Sequence, residues 1–295
     1  MKLGKGRSNI FLGIFSNPVL CYYDNDYHYC YPMIFAIAGP PGAGKTYWIR
    51  EQIAQNPQPQ CYFAPEINGV CIDKTCLATE FPHLHILSRG QEAELLTLIE
   101  SGVNVYIELP CYLELSNFEP LLNNLDCQRI AVLPATPQNS EFEQWSDQII
   151  NGNSAAAPSQ ELWESISDDV QIHQGLLSGE IIDWASLTVF WFELIHGAYG
   201  QVIRAKGIFD IVSGESIYGD FVFGTANREF VALDLPIHTS GRPERFSGFE
   251  IVGQGLDKQG ISQTLKDCCL PESHIHYYQQ QMQHDSLARE TEVLV

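Results

Sequence analysis

The sequence predicts an α/β chain in two parts: a parallel sheet with helices on both faces, then a smaller α+β domain. Three observations predict it. Apolar runs of strand length alternate with helix-patterned segments from Met33 to Leu133, the order that builds a parallel sheet. The first of these runs enters a glycine-rich turn that opens directly into a helix. Beyond a small, polar, proline-broken stretch from Asn151 to Gln160, one apolar helix precedes several strand-like pieces, which is the signature of a separate α+β unit.

Each element has its own justification. Met33 to Ala38 is apolar without alternation, as in a strand covered on both faces. Lys45 to Gln55 has helical periodicity with Trp48, Ile49 and Ile53 inward, and Asn56-Pro57 ends it, because a residue before proline is pushed out of the helical region. Further strands are expected at Cys61 to Ala64, Leu84 to Leu87, Val103 to Leu109 and Arg129 to Leu133. A helix over Gln91 to Ser101 turns Leu95, Leu96, Leu98 and Ile99 inward. Trp184 to His196 reads as an apolar helix stopped by Gly197 and Gly200; its Leu187, Val189, Phe190, Trp191, Phe192 and Leu194 read as core, since the run is too short to span a bilayer. Strand-like pieces follow at Gln201 to Ala205, Ile208 to Val212, Phe221 to Phe223, Phe230 to Leu235 and Phe246 to Val252. The tail from Ser273 is polar and reads as fraying or as a solvated helix.

The turn after the first strand carries chemistry. Gly39, Pro40, Pro41, Gly42, Ala43, Gly44, Lys45 and Thr46 satisfy G-x-x-x-x-G-K-S/T. Glycines let backbone N–H groups converge on phosphate oxygens, and the helix that follows adds the positive end of its dipole. Lys45 would reach the β- and γ-phosphates and Thr46 would hold Mg²⁺. The first part is thus expected to be a P-loop NTPase sheet that takes GTP or ATP.

Three segments extend this into a family resemblance. Val202 to Ile211 contains R-A-K-G at Arg204 to Gly207, and Ser247 to Asp257 follows the pattern S-x-L-V-F-I-G-x-x-L-D. Glu66-Ile-Asn-Gly-Val-Cys-Ile-Asp73 stands where a first switch reads E-F-G-E-V-G-I-D. With the cradle, these resemble the CobW-type P-loop GTPases, metal chaperones and metallocentre assembly factors, from Met33 to about Leu270. The resemblance implies a CobW C-terminal-like domain after the P-loop sheet, slow nucleotide hydrolysis, Zn or Co handling and a metalloprotein client. It also implies roles for Glu66, Asp73 and Glu108 beside Lys45 in the catalytic machinery, holding Mg²⁺ or positioning water. Each of these carboxylates could equally cap a turn.

The chain departs from the family at four places. The second switch glutamate is Gly69, and the Walker B pattern I-E-x-x-G is Ile107-Glu108-Leu-Pro-Cys111. The guanine-reading N-K-x-D stands as Asn151, Gly152, Asn153 and Ser154, so guanine preference is expected to be weak. No C-x-C-C metal motif lies between switch and Walker B. That stretch offers His83 and His85, expected to alternate along a strand and share a face, and Cys71 and Cys76 in a switch-like loop; each pair reads as a metal site or as surface and packing detail. Cys268 and Cys269 read as core, and Arg204 and Lys206 as a solvated strand face. The losses support an alternative in which a degenerate, non-catalytic relative serves as an interaction module.

Composition sets the outer limits. A formal charge of -20, with Lys and Arg totalling 16, opposes nucleic acid as a partner. Nine irregularly spaced cysteines fit a reducing compartment, and no apolar run reaches membrane-spanning length. Lys2, Lys5 and Arg7 before Ile10 to Phe15 faintly resemble an export signal, but Asn17-Pro18 breaks the run and Met33 offers a second start. The expected organisation is therefore a disordered or mis-started extension (1–32), the P-loop domain (33–150), a linker (151–183), the α+β domain (184–272) and a tail (273–295), in a cytoplasmic protein.

Overall fold

The computed structural model describes residues 21–24, 27–30, 32–66, 68–134, 141–152, 170–225 and 230–293. Within the N-terminal extension, β1 (Cys21–Asp24) and β2 (Tyr27–Cys30) pair as an antiparallel hairpin. The first large sheet contains β3 (Ile34–Ala38), β4 (Gln60–Ala64), β5 (His85–Ser88), β6 (Asn104–Glu108), β7 (Gln128–Leu133) and β8 (Gln148–Asn151). Its order is β5-β4-β6-β3-β7-β8 and every pairing is parallel. Alternate residues of β3 feed two cores. Ala36 and Ala38 pack with Leu95, Leu115, Phe118 and Leu122 on one side, and Phe35 and Ile37 with Ile49, Ile53 and Leu77 on the other. That double covering is why the strand reads as an unbroken apolar run.

Helices supply both covers. α1 (Lys45–Gln55) and α2 (Ile72–Glu80) lie over one face, and α3 (Glu92–Glu100) and the short α4 (Glu119–Leu122) over the other. α1 ends at Asn56, as the following proline requires. Two expectations need correction. Leu96 is exposed, because the inward stripe of α3 centres on Leu95. Cys76 is not in a loop: it lies within α2, while Cys71 stands at the end of the loop, just before the helix.

After the short α5 (Glu141–Trp145) and β8, the chain builds a second sheet from β9 (Gln171–Leu176), β10 (Gln201–Asp210), β11 (Ser216–Val222), β12 (Val231–Ala232) and β13 (Gly248–Gln254). The order is β12-β11-β10-β13-β9, antiparallel throughout. Two strand-like pieces expected separately merge into β10, which runs straight through Gly207. β9 is the larger surprise, since it lies inside the stretch read as linker. Gln171-Ile-His-Gln-Gly-Leu176 has too few apolar residues to announce a strand, yet its backbone pairs fully with β13. Its Gly175 lies over Phe249, where a Cβ would stand 2.4 Å from the ring.

One face of the second sheet packs against α6 (Trp184–Ile195) and α7 (Lys258–Asp267) through Ala205, Phe209, Phe221, Phe249, Leu187, Phe190, Leu194, Ile261 and Leu265. Asp183 caps α6 by accepting from the Ser186 N–H at 2.8 Å, and Gly197 takes φ 91° just past its end. Val189 and Phe192 are 59% and 61% exposed, so only the stripe through Leu187, Phe190, Trp191 and Leu194 is core. The tail forms α8 (Glu272–Val293), whose Ile275 and Gln279 are buried, the amide accepting from the Gly241 N–H at 2.8 Å. No described helix is long and apolar enough to cross a membrane.

The edge strand gives a test of where the second unit begins. A fragment of residues 170–282 is expected to melt cooperatively, and one of 184–272 at a clearly lower temperature, because losing β9 strips the backbone bonds and Phe249 cover from β13. Equal melting temperatures by circular dichroism would show that β9 is dispensable.

Candidate functional site

The glycine-rich turn leaves β3 at the carboxyl edge of the parallel sheet, where ligands bind in open α/β folds. Its path requires glycine at two points. A Cβ on Gly39 would meet the Val132 carbonyl oxygen at 2.2 Å, and Gly44, capping α1, has φ 96°. The Lys45 ammonium is buried and folds back on the loop, donating to the Gly39 carbonyl at 3.0 Å and the Pro40 carbonyl at 3.4 Å.

Glu108, the last residue of β6, lies beside it. The Thr46 hydroxyl donates to Oε1 at 2.9 Å and the Tyr62 hydroxyl to Oε2 at 2.9 Å. Burial, with the charge of Asp73, holds the Glu108 carboxyl above its ordinary pKa against the pull of Lys45 and Lys206. Asp73 runs the other way: burial pushes it up, but the charges of Lys206, Arg204 and Lys45 outweigh that and keep it ionised. Two carboxylates in one pocket are thus driven apart by their neighbours.

A cavity of about 620 Å³ joins these groups. One wall is the cradle with Gly42, Gly44, Lys45 and Thr46; the opposite wall is the second sheet with Arg204, Lys206, Tyr218, Asp220 and Glu250. Arg204 and Lys206, expected on a solvated face, are half-buried here, their side chains 12% and 13% exposed. Arg204 ion-pairs with Asp220, and Lys206 with Asp73 across the two sheets. Below the ion pair an apolar patch of Val70, Ile72 and Ile208, with Tyr218, Leu233 and Phe246, joins the sheets as well. The sequence signal for this wall is two cations one pleat apart, Arg204 and Lys206, on the strand that carries the R-A-K-G resemblance.

Other expected residues fall differently. Pro40, Pro41 and Ala43 complete the loop, Pro41 lining the cavity. Glu66 does not line it; it sits alongside, 2.7 Å from Lys74 of α2, which also donates to Ser88 Oγ at 2.8 Å. Burial raises Glu66 to about 7 despite Lys74. Cys111 lines the cavity where the Walker B glycine was expected. His83 sits in a turn rather than a strand, and His85 opens β5; both are exposed. Among the described residues, no three or more His, Cys, Asp or Glu gather as a metal-holding group. Burial lifts the Cys76 thiol to about 12, far from thiolate, and Cys268 is core, as expected. Gly152 abuts the cradle, where a Cβ would be 2.1 Å from the Ala43 carbonyl oxygen. Asn153 and Ser154, with most of the linker and residues 1–20, lie outside the described residues.

The sequence matches no protein-family model and none of the curated proteins. Among solved structures it aligns with the Zn(II)-bound YjiA GTPase from E. coli at 11% identity, over 80% of this chain and 99% of that chain, with a TM-score of 0.29. A Zn(II)-bound triple mutant of YjiA aligns at 14% identity, with the same coverage and a TM-score of 0.29.

The raised Glu66 carboxyl has a measurable consequence. Its folded pKa of about 7 exceeds the ordinary 4.5, so between these values the folded chain holds a proton that the unfolded chain has released. Stability therefore falls as pH rises through that window. Glu66→Gln removes the titration and adds only a constant offset. The variant is expected to gain on wild type from pH 4.5 to pH 7.5, by at most about 3 kcal/mol. Parallel melting curves across this range would show that Glu66 titrates normally.

Proposed function

We propose that the chain binds a nucleoside triphosphate with Mg²⁺ on the cradle from Gly39 to Thr46 and hydrolyses it slowly. The observation that carries this reading is the conjunction at the end of β3: a backbone loop with no room for a Cβ at Gly39, a buried Lys45, and the Thr46 hydroxyl bonded to a buried carboxylate. A loop of that shape presents N–H groups to phosphate, and paired hard oxygens suit Mg²⁺. Thr46 and Glu108 are the residues that would hold the ion, with Asp73 on the same cavity; the ion would neutralise phosphate charge there. Lys45 would leave the Gly39 and Pro40 carbonyls for phosphate oxygens. Tyr62 holds the Glu108 carboxylate in place from below.

Charge supports a metal-bound nucleotide over a bare one. The cavity is lined by Lys45, Arg50, Arg204 and Lys206, against Asp73, Glu80, Glu108, Asp220, Asp234 and Glu250. With acids in surplus, a triphosphate enters favourably only with its cation. Delivery of Zn or Co to a metalloprotein client comes with the CobW-type resemblance alone. A second reading, nucleotide binding without turnover, is favoured by Cys111, whose side chain stands where the family has a bare backbone amide toward the terminal phosphate.

Calorimetry with ATP and GTP tests both readings. Lys45→Ala is expected to abolish triphosphate binding, and removing Mg²⁺ to weaken it at least about tenfold. Equal binding by wild type and variant would sink the nucleotide reading. The GTP-to-ATP affinity ratio is expected below about tenfold, because Ser154 replaces the carboxylate that accepts guanine's two donors. A ratio on the order of a thousand would show that another residue reads the base. Release of phosphate in single-turnover mixing separates slow hydrolysis from none.

A further inference from the structure

The two cations of β10 are not equivalent. Arg204 reaches only into its own sheet: its Nη1 ion-pairs with Asp220 and donates to the Phe221 carbonyl at 2.7 Å and the Ala205 carbonyl at 3.2 Å. Lys206 reaches across to α2. Its only hydrogen bond among the described residues goes to Asp73, and Glu250 stands 3.7 Å away, beyond hydrogen-bond length. An ammonium carries three donors on a flexible stem, so Lys206 has donors to give without leaving its strand.

Its position makes that spare capacity relevant. Lys206 lines the same cavity as Gly44, Lys45 and Thr46, from the opposite wall. Wall and cradle touch at Gly42, where a Cβ would stand 2.9 Å from Val222 Cγ1 and 3.7 Å from Arg204 Cδ. The partner, Asp73, belongs to α2 of the first sheet and faces the same cavity. A buried ion pair between side chains adds little net stability, since desolvation offsets the attraction. An anionic ligand changes that balance, because phosphate oxygens accept charge-assisted hydrogen bonds from the same ammonium.

We propose that Lys206 belongs to the nucleotide site and meets the terminal phosphate of a triphosphate held on the cradle, exchanging Asp73 for a phosphate oxygen. The second sheet is then a wall of the binding site as well as a docked neighbour, and it distinguishes triphosphate from diphosphate. This rests on the reading of the cradle as a nucleotide site. A diphosphate, lacking the terminal group, leaves the Lys206–Asp73 pair as it is.

Calorimetry on the full chain with Mg²⁺, comparing a nucleoside triphosphate with its diphosphate, tests the inference. Lys206→Met is expected to lower triphosphate affinity about tenfold and diphosphate affinity less than about twofold, and Lys206→Arg, which keeps the charge, to recover most of the loss. Loss of both nucleotides alike, or of neither, would overturn the inference and leave Lys206 a strut between sheets. Should Lys206→Met fail to fold, with Asp73 buried and unpaired, Asp73→Asn/Lys206→Met removes both charges and is compared with Asp73→Asn alone. The same triphosphate-selective loss is expected, and its absence is again decisive against. Lys45→Ala separates the two levels: if it abolishes both nucleotides while Lys206→Met leaves their ratio unchanged, the cradle reading stands and the Lys206 inference falls. If wild type binds neither nucleotide, both fall together.

Discussion

The ion pair between Lys206 and Asp73 is the constraint around which the two halves of the chain are arranged. It joins the middle strand of the second sheet to the first turn of α2. Coulomb attraction at that separation is strong in a low-dielectric setting and weak in water, so the pair requires burial to matter and requires partners to be tolerable. Both conditions are met locally. Arg204 and Asp220 flank it, and the patch of Val70, Ile72 and Ile208 excludes water beneath it. From β10, β11 and β13 the cavity receives Arg204, Lys206, Tyr218, Asp220 and Glu250, with Val222 beside them.

Strand alternation explains how one sheet does two jobs. On β10, Ala205 and Phe209 face the helices α6 and α7, while Arg204, Lys206 and Ile208 face the first sheet. A single residue of register slip would exchange these faces, placing Phe209 at the cavity and ammonium groups in the core. The seven-residue pairing with β11, unbroken from Arg204 to Asp210, guards against that. The bulge between Val202 and Arg204 on the β13 side shifts the register just before the charged pair begins.

The first sheet, apart from its edge strand β8, was legible in the sequence because its signals are local. Met33 to Ala38, the glycine turn and the Lys45 to Gln55 helix are contiguous, and each obeys a rule that a neighbouring residue enforces. β9 and the charged wall were not legible for the opposite reason. Gln171 to Leu176 is a strand because β13 offers it a backbone edge, which nothing within those six residues records. Arg204 and Lys206 pattern as a solvent face does, since period-two charge looks alike whether the facing medium is water or a second sheet. The carboxylates divided on the same principle: Asp73 and Glu108 came together with the cradle, while Glu66, two residues beyond the end of β4, found Lys74 before it could reach the cavity.

Coupling between the halves follows from where the shared groups sit. A ligand shifts an equilibrium only through a difference in its interactions with the two states. In the inferred exchange the difference lies at Asp73, which is ion-paired with Lys206 and lies on a cavity whose other wall also carries Arg204. Because Asp73 stands in the first turn of α2, beside Ile72 in the apolar patch, any change of its partner acts on the contact between the sheets. The second core, held by α6 and α7 on the far face of β10, contributes stiffness: Phe209 is fully buried there, so the strand carrying Lys206 moves as part of a packed unit and not as a loop. A cation mounted on such a strand is well suited to reporting phosphate occupancy, since the backbone that bears it has few other conformations to adopt.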